Sequence, residues 1–360
     1  MGIMTEEAVR TELERLADKE EPRPMIEARG LHKQFKTPVV KEGSFAGIRT
    51  LFTREYRVKE AVKDISFTIN QGDFIGYIGP NGAGKSTTIK MLTGILHPSS
   101  GEVRIGGVDP HRHRRRVVSR LGVVFGQRSQ LWWDLPVKDS YEILAHMYKV
   151  GDKERDLRLG QLSELLGLGE FWTTPVRKLS LGQRMRADIA ASMLHDPDVL
   201  FMDEPTIGLD VTAKRSIREF LKTLNTEFGK TILLTTHDMD DIEQLCERVM
   251  VINHGQLSYD GTIEELREKI GLPTTIRVTF ADAWSIPLPA GENLRLPLEV
   301  RLPSGEAFRV VETGPDFVRV EANRQQIRAV DILREMAAWG EAADIHTEEP
   351  AFEDVIHKVY

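Results

Sequence analysis

The sequence is poor in cysteine: Cys246 is the one among 360 residues. An internal disulfide framework and a cysteine cage for a metal are therefore excluded. A long apolar run is missing too. No stretch approaches the roughly 18 consecutive apolar residues that span a bilayer, and the first residues, with Glu6, Glu7, Glu12 and Glu14, carry no apolar signal-peptide core. Both absences predict a chain that stays in the cytosol and reaches a membrane only through a partner. Basic residues are not in excess. Lys and Arg number 48 against 55 Asp and Glu, a net charge of −7, which speaks against a general nucleic-acid binder, since that affinity rests on neutralising phosphates. Internal repeats and low-complexity tracts are absent as well. What is there is 41% hydrophobic and 29% charged, too apolar for disorder and too polar for a membrane protein. The length suits one large or two moderate domains.

Residues 1–24 are rich in Glu, Lys and Arg and read as a solvated helical tail ending at Pro22 and Pro24. Ile65, Phe67 and Ile69 alternate with Asp64, Ser66 and Thr68, the period of a half-buried strand beginning near Ala61. Residues 74–78 and 199–202 are short apolar runs, as in strands buried on both faces, and 232–236 and 249–252 are further strands. Ile217, Phe220, Leu221 and Leu224 make one helical stripe, closed by Gly229. Strands alternating with helices predict a wound α/β core with a mostly parallel sheet. From about 128 to 178 the pattern turns helical (Tyr141, Leu144, Tyr148, then Leu162, Leu165, Leu166) and predicts an inserted helical subdomain. After Gly271-Leu272-Pro273, strands at 276–280, 308–312 and 317–321 precede a helix at about 325–338, a small α+β appendix over 272–360.

Gly79-Pro80-Asn81-Gly82-Ala83-Gly84-Lys85-Ser86 lies between a strand and a helix opening near Thr87. Glycines let the backbone curl so that successive N–H groups point at phosphate oxygens, and the helix presents its positive end to the same anion. Lys85 then reaches the β- and γ-phosphates and the Ser86 hydroxyl coordinates Mg²⁺. A second element is Val199-Leu200-Phe201-Met202-Asp203-Glu204, an apolar strand ending in two carboxylates. Asp203 suits contact with Mg²⁺ at the strand's C-terminal edge, and Glu204 is the candidate general base for the attacking water.

A phosphate loop alone fits kinases, GTPases, helicases and transport motors. Leu179-Ser180-Leu181-Gly182-Gln183-Arg184, shortly before the carboxylate strand, decides among them. Here the sequence resembles the ATP-binding-cassette (ABC) family, whose signature is Leu-Ser-Gly-Gly-Gln, with Leu181 in place of the first glycine. Phe125-Gly126-Gln127, Pro205-Thr206-Ile207-Gly208-Leu209-Asp210 and Thr235-Thr236-His237-Asp238 are similar to the family's Q-loop, D-loop and switch histidine, in family order, over residues 25–270. The resemblance implies an α/β P-loop NTPase fold (RecA-like) with an inserted α-helical subdomain, and an ATPase that binds ATP and Mg²⁺ as the motor of a transporter. Ser180, Leu181, Gly182 and Gln183 would then act in trans, Ser180 and Gly182 on the γ-phosphate held by a second, identical cassette, with Asp210 across the same interface. Gln127 would touch Mg²⁺ or the attacking water, and His237 would hold the γ-phosphate and orient Glu204. If the position of Leu181 required a positive φ, a non-glycine residue would cost about 1–2 kcal/mol; its side chain is expected to turn out of the site.

The family stacks the adenine on an aromatic residue upstream of the loop. Phe35, closing Leu31-His32-Lys33-Gln34-Phe35, fits, with Tyr56 as the alternative. Between them, at about 37–57, Phe45, Ile48, Leu51 and Phe52 recur at helical spacing beside Arg49, Arg54, Arg57 and Lys59, a basic amphipathic insertion suited to a membrane surface or partner. Trp132 and Trp133 follow Gln127 where the family contacts its permease. His111-Arg112-His113-Arg114-Arg115-Arg116 reads as a solvated basic helix start, and Cys246 as core. The reading is an ABC ATPase domain over 25–271, paired as a homodimer on separate permease subunits at the cytoplasmic face of the plasma membrane. The segments around Ile95 and Glu349 resemble drug- and ion-efflux cassettes. A polysaccharide or glycan exporter, suggested by the insertion, and a soluble non-transport ABC ATPase are the alternatives.

Overall fold

The computed structural model describes residues 23–38, 56–126, 128–287, 295–323 and 326–360. The tail at 1–22, the core of the amphipathic insertion and Gln127 lie outside the described residues. The chain divides into one compact unit ending at Asp260 and a second spanning Gly261–Tyr360.

In the first unit, β1 (Pro24–Pro38), β2 (Tyr56–Asn70) and β4 (Ser100–Ile105) form an antiparallel sheet in the order β2-β1-β4. The strand expected from Ala61 is longer at its start. Tyr56 already pairs with Pro38 and Arg57 with Thr37, so both ends of the 37–57 insertion, and Lys59 beyond it, belong to a β-ribbon and not to a helix. A six-stranded sheet follows, in the order β5-β6-β7-β3-β8-β9, from β3 (Phe74–Ile78), β5 (Leu121–Phe125), β6 (Val199–Asp203), β7 (Thr231–Thr235), β8 (Arg248–Asn253) and β9 (Gln256–Thr262). The β5 to β8 pairings are parallel, which explains why these strands read as continuous apolar runs.

Alternate residues divide this sheet between two layers. Ile75, Tyr77, Phe201, Leu233 and Met250 join the first core together with Leu31, Ile65, Val103 and, from α1 (Lys85–Leu92), Ile89 and Leu92. On the opposite side lies Gly76, where an added Cβ would stand 2.9 Å from Ile242 of α7 (Met239–Leu245) and 3.4 Å from Cys246 Sγ. Cys246 is buried, and burial pushes its thiol far up from its ordinary pKa. Between β4 and β5 runs α2 (Arg114–Val118). Helices α3 (Val137–Tyr148) and α4 (Asp152–Leu166) occupy the interrupted stretch, followed by α5 (Leu181–Met193); α6 (Val211–Thr226) buries Ile217, Phe220, Leu221 and Leu224.

The second unit opens with α8 (Ile263–Ile270), capped by Thr262 and Glu265 in a reciprocal box. Its sheet is antiparallel, in the order β11-β12-β13-β10-β14, from β10 (Thr274–Phe280), β11 (Leu298–Arg301), β12 (Ala307–Thr313), β13 (Phe317–Ala322) and β14 (Ala342–Glu348). Helix α9 (Ala329–Met336) lays Ile332 and Met336 onto Ile276, Val278, Val318 and Val320. The last helix, α10 (Phe352–Val359), buries Phe352, Val355 and Ile356, and the Arg267 guanidinium of α8 lies 5.7 Å from the Phe352 ring centre.

Candidate nucleotide site

Glycine shapes the loop between β3 and α1. Gly82 and Gly84 hold φ of 81° and 115°, where a side chain is strained. A Cβ on Gly84 would stand 2.5 Å from the Ala61 carbonyl oxygen, and one on Gly79 would stand 2.1 Å from that of Ile252. The loop backbone is thus pressed onto β2 and β8 where only hydrogen fits. Ala83 is buried beneath, its carbonyl accepting from Gly255 N–H at 2.9 Å. Helix α1 opens on Gly84 with no side-chain cap, so the N–H groups of Lys85, Ser86 and Thr87 face out of its positive end. Lys85 is buried and its Nζ donates to the carbonyls of Gly79 and, at 3.2 Å, Pro80. Burial pulls its pKa down, and the carboxylates of Glu204 and Asp203 pull it back up.

A cavity of about 250 Å³ opens beside this loop, lined by Phe35, Lys59, Ala61, Pro80, Asn81, Gly82, Gly84, Lys85, Ser86, Thr87, Asp203 and Glu204. Four buried residues of β6 carry Asp203 to its rim, where Thr235 Oγ1 of the neighbouring strand donates to Asp203 Oδ1 at 2.5 Å. Glu204 has φ of 56° and donates its N–H to the Thr235 carbonyl at 2.8 Å. That left-handed backbone costs a non-glycine residue about 1–2 kcal/mol, and it turns the carboxylate towards His237, whose Nε2 is 3.0 Å from Glu204 Oε1. A second cavity of about 490 Å³ shares Ser86, Asp203 and Glu204 and is bounded by Gly126 and Arg128, the residues that flank Gln127 in sequence.

None of Ser180, Leu181, Gly182 and Gln183 lines either cavity. Ser180 caps α5: Gln183 N–H donates to Ser180 Oγ at 3.2 Å and Ser180 N–H to Gln183 Oε1 at 3.0 Å. Because the helix starts at Leu181, directly after its Ser180 cap, Leu181 has ordinary helical backbone and needs no glycine. Its Cδ2 is 3.1 Å from where a Cβ of Gly208 would be, and Gly182 abuts Ala213. The segment 205–210 therefore packs under the signature, and Asp210 caps α6 by accepting from Ala213 N–H at 2.8 Å.

Residues 62–207 match the family model described as ABC transporter. The Nod factor export ATP-binding protein I of Ralstonia nicotianae is 37% identical over 275 residues, 76% of this chain and 81% of that protein. The ABC transporter ATP-binding protein NatA of Bacillus subtilis is 36% identical over 60% of this chain and 88% of its own length. The chain belongs to the ABC transporter ATP-binding proteins. The daunorubicin resistance ATP-binding protein DrrA3 of Streptomyces coeruleorubidus is 33% identical over 84% of this chain and 92% of its own. Among solved structures, a dimeric post-hydrolysis cassette bound to ADP and Pi superposes with a TM-score of 0.54 at 26% identity, covering 66% of this chain and 98% of that one. The chain is an ATPase with the α/β ABC fold and binds ATP.

In this cassette Phe35 lines the loop cavity, 39% exposed, with Lys33 Nζ 5.4 Å from its ring centre. Tyr56 is 55% exposed and lies outside the lining. Among the described residues no group of three or more His, Cys, Asp or Glu side chains could hold a metal. A hydroxyl and a carboxylate, Ser86 and Asp203, do share the cavity rim. That donor set suits Mg²⁺ arriving with phosphate oxygens, not a resident ion in a protein cage.

The sequence reading missed a buried hub. Asp241, fully buried on α7, accepts from Thr206 Oγ1 at 2.5 Å, Thr236 Oγ1 at 3.0 Å and Arg218 Nε at 2.5 Å. It ties the 205–210 segment, the strand end before His237 and α6 together. Beside it, against the upward pull of burial, Lys214 and Arg218 hold the Asp238 carboxyl below its ordinary value.

Proposed function

We propose that two copies of this cassette close head to tail on two Mg·ATP and drive export through separate membrane subunits. The observation that carries this reading is the placement of the signature. A capped helix end with Ser180 and Gly182 stands outside the chain's own phosphate cavity, available to an anion held elsewhere. Similarity to a bacterial ABC transporter cassette solved as a dimer (TM-score 0.55, 26% identity) supports the pairing. Relatives named for Nod factor export and daunorubicin resistance support the outward direction.

Within each site, the loop N–H groups and Lys85 hold the β- and γ-phosphates. Phe35 stacks the adenine. Ser86, Asp203 and Gln127 would hold Mg²⁺, which when bound would neutralise phosphate charge. Glu204 takes the proton from the attacking water, and His237, in contact with Glu204, orients it and holds the γ-phosphate. Asp210 acts across the interface. The exposed Trp132 and Trp133, shortly after Gln127, face the permease. No helix among the described residues is long and apolar enough to cross a membrane; in this reading the transport path belongs to the permease subunits, and the cassettes sit beneath them at the cytoplasmic face. Purification from native membranes in mild detergent tests the transport claim. A stoichiometric multi-span protein is expected to accompany the chain. Recovery with ribosomes or DNA, or as a soluble protein alone, would leave the ATPase standing and remove the transport reading.

A further inference from the structure

Eight residues beyond Ser180, on the buried face of α5, stands Asp188, only 6% exposed. Burying a carboxylate is costly, and a helix position that served only packing would be better filled by an apolar side chain. Its bonds explain it. Asp188 Oδ1 accepts from Ser129 Oγ at 2.9 Å and from Gln130 N–H at 2.9 Å. Ser129 Oγ in turn accepts from Leu131 N–H at 3.1 Å, and Gln130 Nε2 donates back to the Asp188 backbone carbonyl at 2.9 Å. Three hydrogen bonds thus fasten residues 129–131, which begin two positions after Gln127, to the helix whose first turn is the signature, and the Leu131 bond braces the segment internally. Trp133 extends the contact, its ring lying 5.5 Å from the Arg184 guanidinium on the same helix.

We infer that Asp188 is a positioning residue that locks the loop carrying Gln127 to the signature helix, so that filling one nucleotide cleft sets the signature presented to the other. The inference rests on the reading that the signature acts on a partner cassette. A rigid helix and a charge-assisted clamp make a contiguous link, the kind through which two sites bias one element. The charged and titratable groups bearing on Asp188 are Arg184, one turn earlier, and Tyr141 of α3, whose hydroxyl donates to the Ala187 carbonyl at 3.1 Å. Burial raises the Asp188 pKa to about 6, against the pull of Ser129, the Gln130 N–H and Arg184. The clamp is therefore charged at pH 7.5 and neutral at pH 5.

The test is steady-state Mg·ATP hydrolysis by the full chain from about pH 5 to 7.5 for the wild type, Asp188→Asn, Ser129→Ala and the double variant. ATP affinity and thermal midpoint are measured alongside. Replacing an ionised acceptor by a neutral one is expected to lower hydrolysis about fivefold at pH 7.5 with ATP affinity unchanged. The wild-type to Asp188→Asn ratio should fall towards one near pH 5, because protonated Asp188 and Asn are alike in charge. This ratio cancels every other group that titrates. Ser129→Ala, on the half-buried loop, should lose about twofold, and the double variant should be no worse than Asp188→Asn. Ser180→Arg separates the two claims. If it abolishes hydrolysis while Asp188→Asn keeps the wild-type rate and pH profile, the inference fails alone. If Ser180→Arg hydrolyses normally, the partner-signature reading falls and takes the inference with it. Should Asp188→Asn fail to fold, an unaltered rate in Ser129→Ala would overturn the clamp.

Discussion

Glu204 combines a strained backbone with a reactive side chain, and two substitutions separate them. At φ 56° the backbone costs a non-glycine residue about 1–2 kcal/mol. Glycine adopts this conformation freely but loses about 0.5–1 kcal/mol of additional chain entropy on folding. The contact with His237, 46% exposed on the histidine side, is worth at most about 0.5 kcal/mol. Glu204→Gly should therefore lie between about 0.5 kcal/mol less and about 1.5 kcal/mol more stable than the wild type, centred on a gain of about 0.5 kcal/mol. For a unit of this size that is a rise of about 1–2 °C in Tm. Glu204→Gln keeps both shape and strain, and its stability should stay within about 0.5 kcal/mol. In hydrolysis the two variants converge. Without a carboxylate to take the water proton, each should lose about 10²-fold or more, while ATP still binds. Nucleotide-free thermal unfolding, ATP titration and phosphate release at saturating Mg·ATP measure the three quantities. If Glu204→Gly unfolds more easily by over about 1 kcal/mol, the strain argument is wrong; hydrolysis by Glu204→Gln above roughly a tenth of the wild-type rate removes Glu204 as the base.

Lys85→Ala should weaken ATP binding by about 10- to 100-fold, since a charge-assisted contact is worth about 1.5–3 kcal/mol; unchanged affinity in calorimetric titration would count against the phosphate loop. Asp241→Ala strands Arg218, Thr206 and Thr236 in a buried site and should cost about 3–5 kcal/mol in urea unfolding; a loss below about 1 kcal/mol would show that the hub is not structural. Asp188 gives a pH dependence of stability whose sign is fixed. Its carboxyl titrates near 6 when folded against an ordinary 3.8, so the folded state binds the proton first and stability from this group rises as pH falls from about 7 to 4. The rise is bounded by about 3 kcal/mol. Asp188→Asn should flatten that slope, and parallel slopes in denaturant titrations of the two proteins would refute it.

Much of this site could be read from the sequence because its chemistry is local. A loop that wraps a phosphate needs glycine, lysine and serine at fixed spacing whatever surrounds it, and a strand buried on both faces announces its terminal Asp203 and Glu204 as anomalies. The accessory strands were legible for a similar reason: β10 buries every second residue. Strand β1 was not, because register shifts at Ala28, Leu31 and Lys33 break the period that alternation detects. Strand β14 is exposed along its whole length and so carries no pattern at all. Leu181 is instructive in another way. A glycine in a signature invites the idea of special backbone, but the capping box of Ser180 and Gln183 makes the position plain helix.

What stayed hidden are bonds between segments far apart in the chain. Thr235 reaches Asp203 across 32 residues, Arg218 and Thr206 meet at Asp241, and Ser129 meets Asp188 across 59 residues. In each case the sequence shows only a polar residue on an otherwise apolar face, and the partner that justifies it is set by topology. Apart from Asp203, these residues line neither nucleotide cavity, yet they join the Q-loop side, the D-loop side and the histidine strand to two helices. A motor that converts a phosphate-sized event into movement of a docked partner needs its loops tied to rigid elements, because a packed core deforms by switching between arrangements and not by yielding gradually. Removing a tie such as Asp188 should therefore leave nucleotide affinity in place and lower hydrolysis, whereas removing a lining residue that grips the phosphates, such as Lys85, lowers the affinity itself.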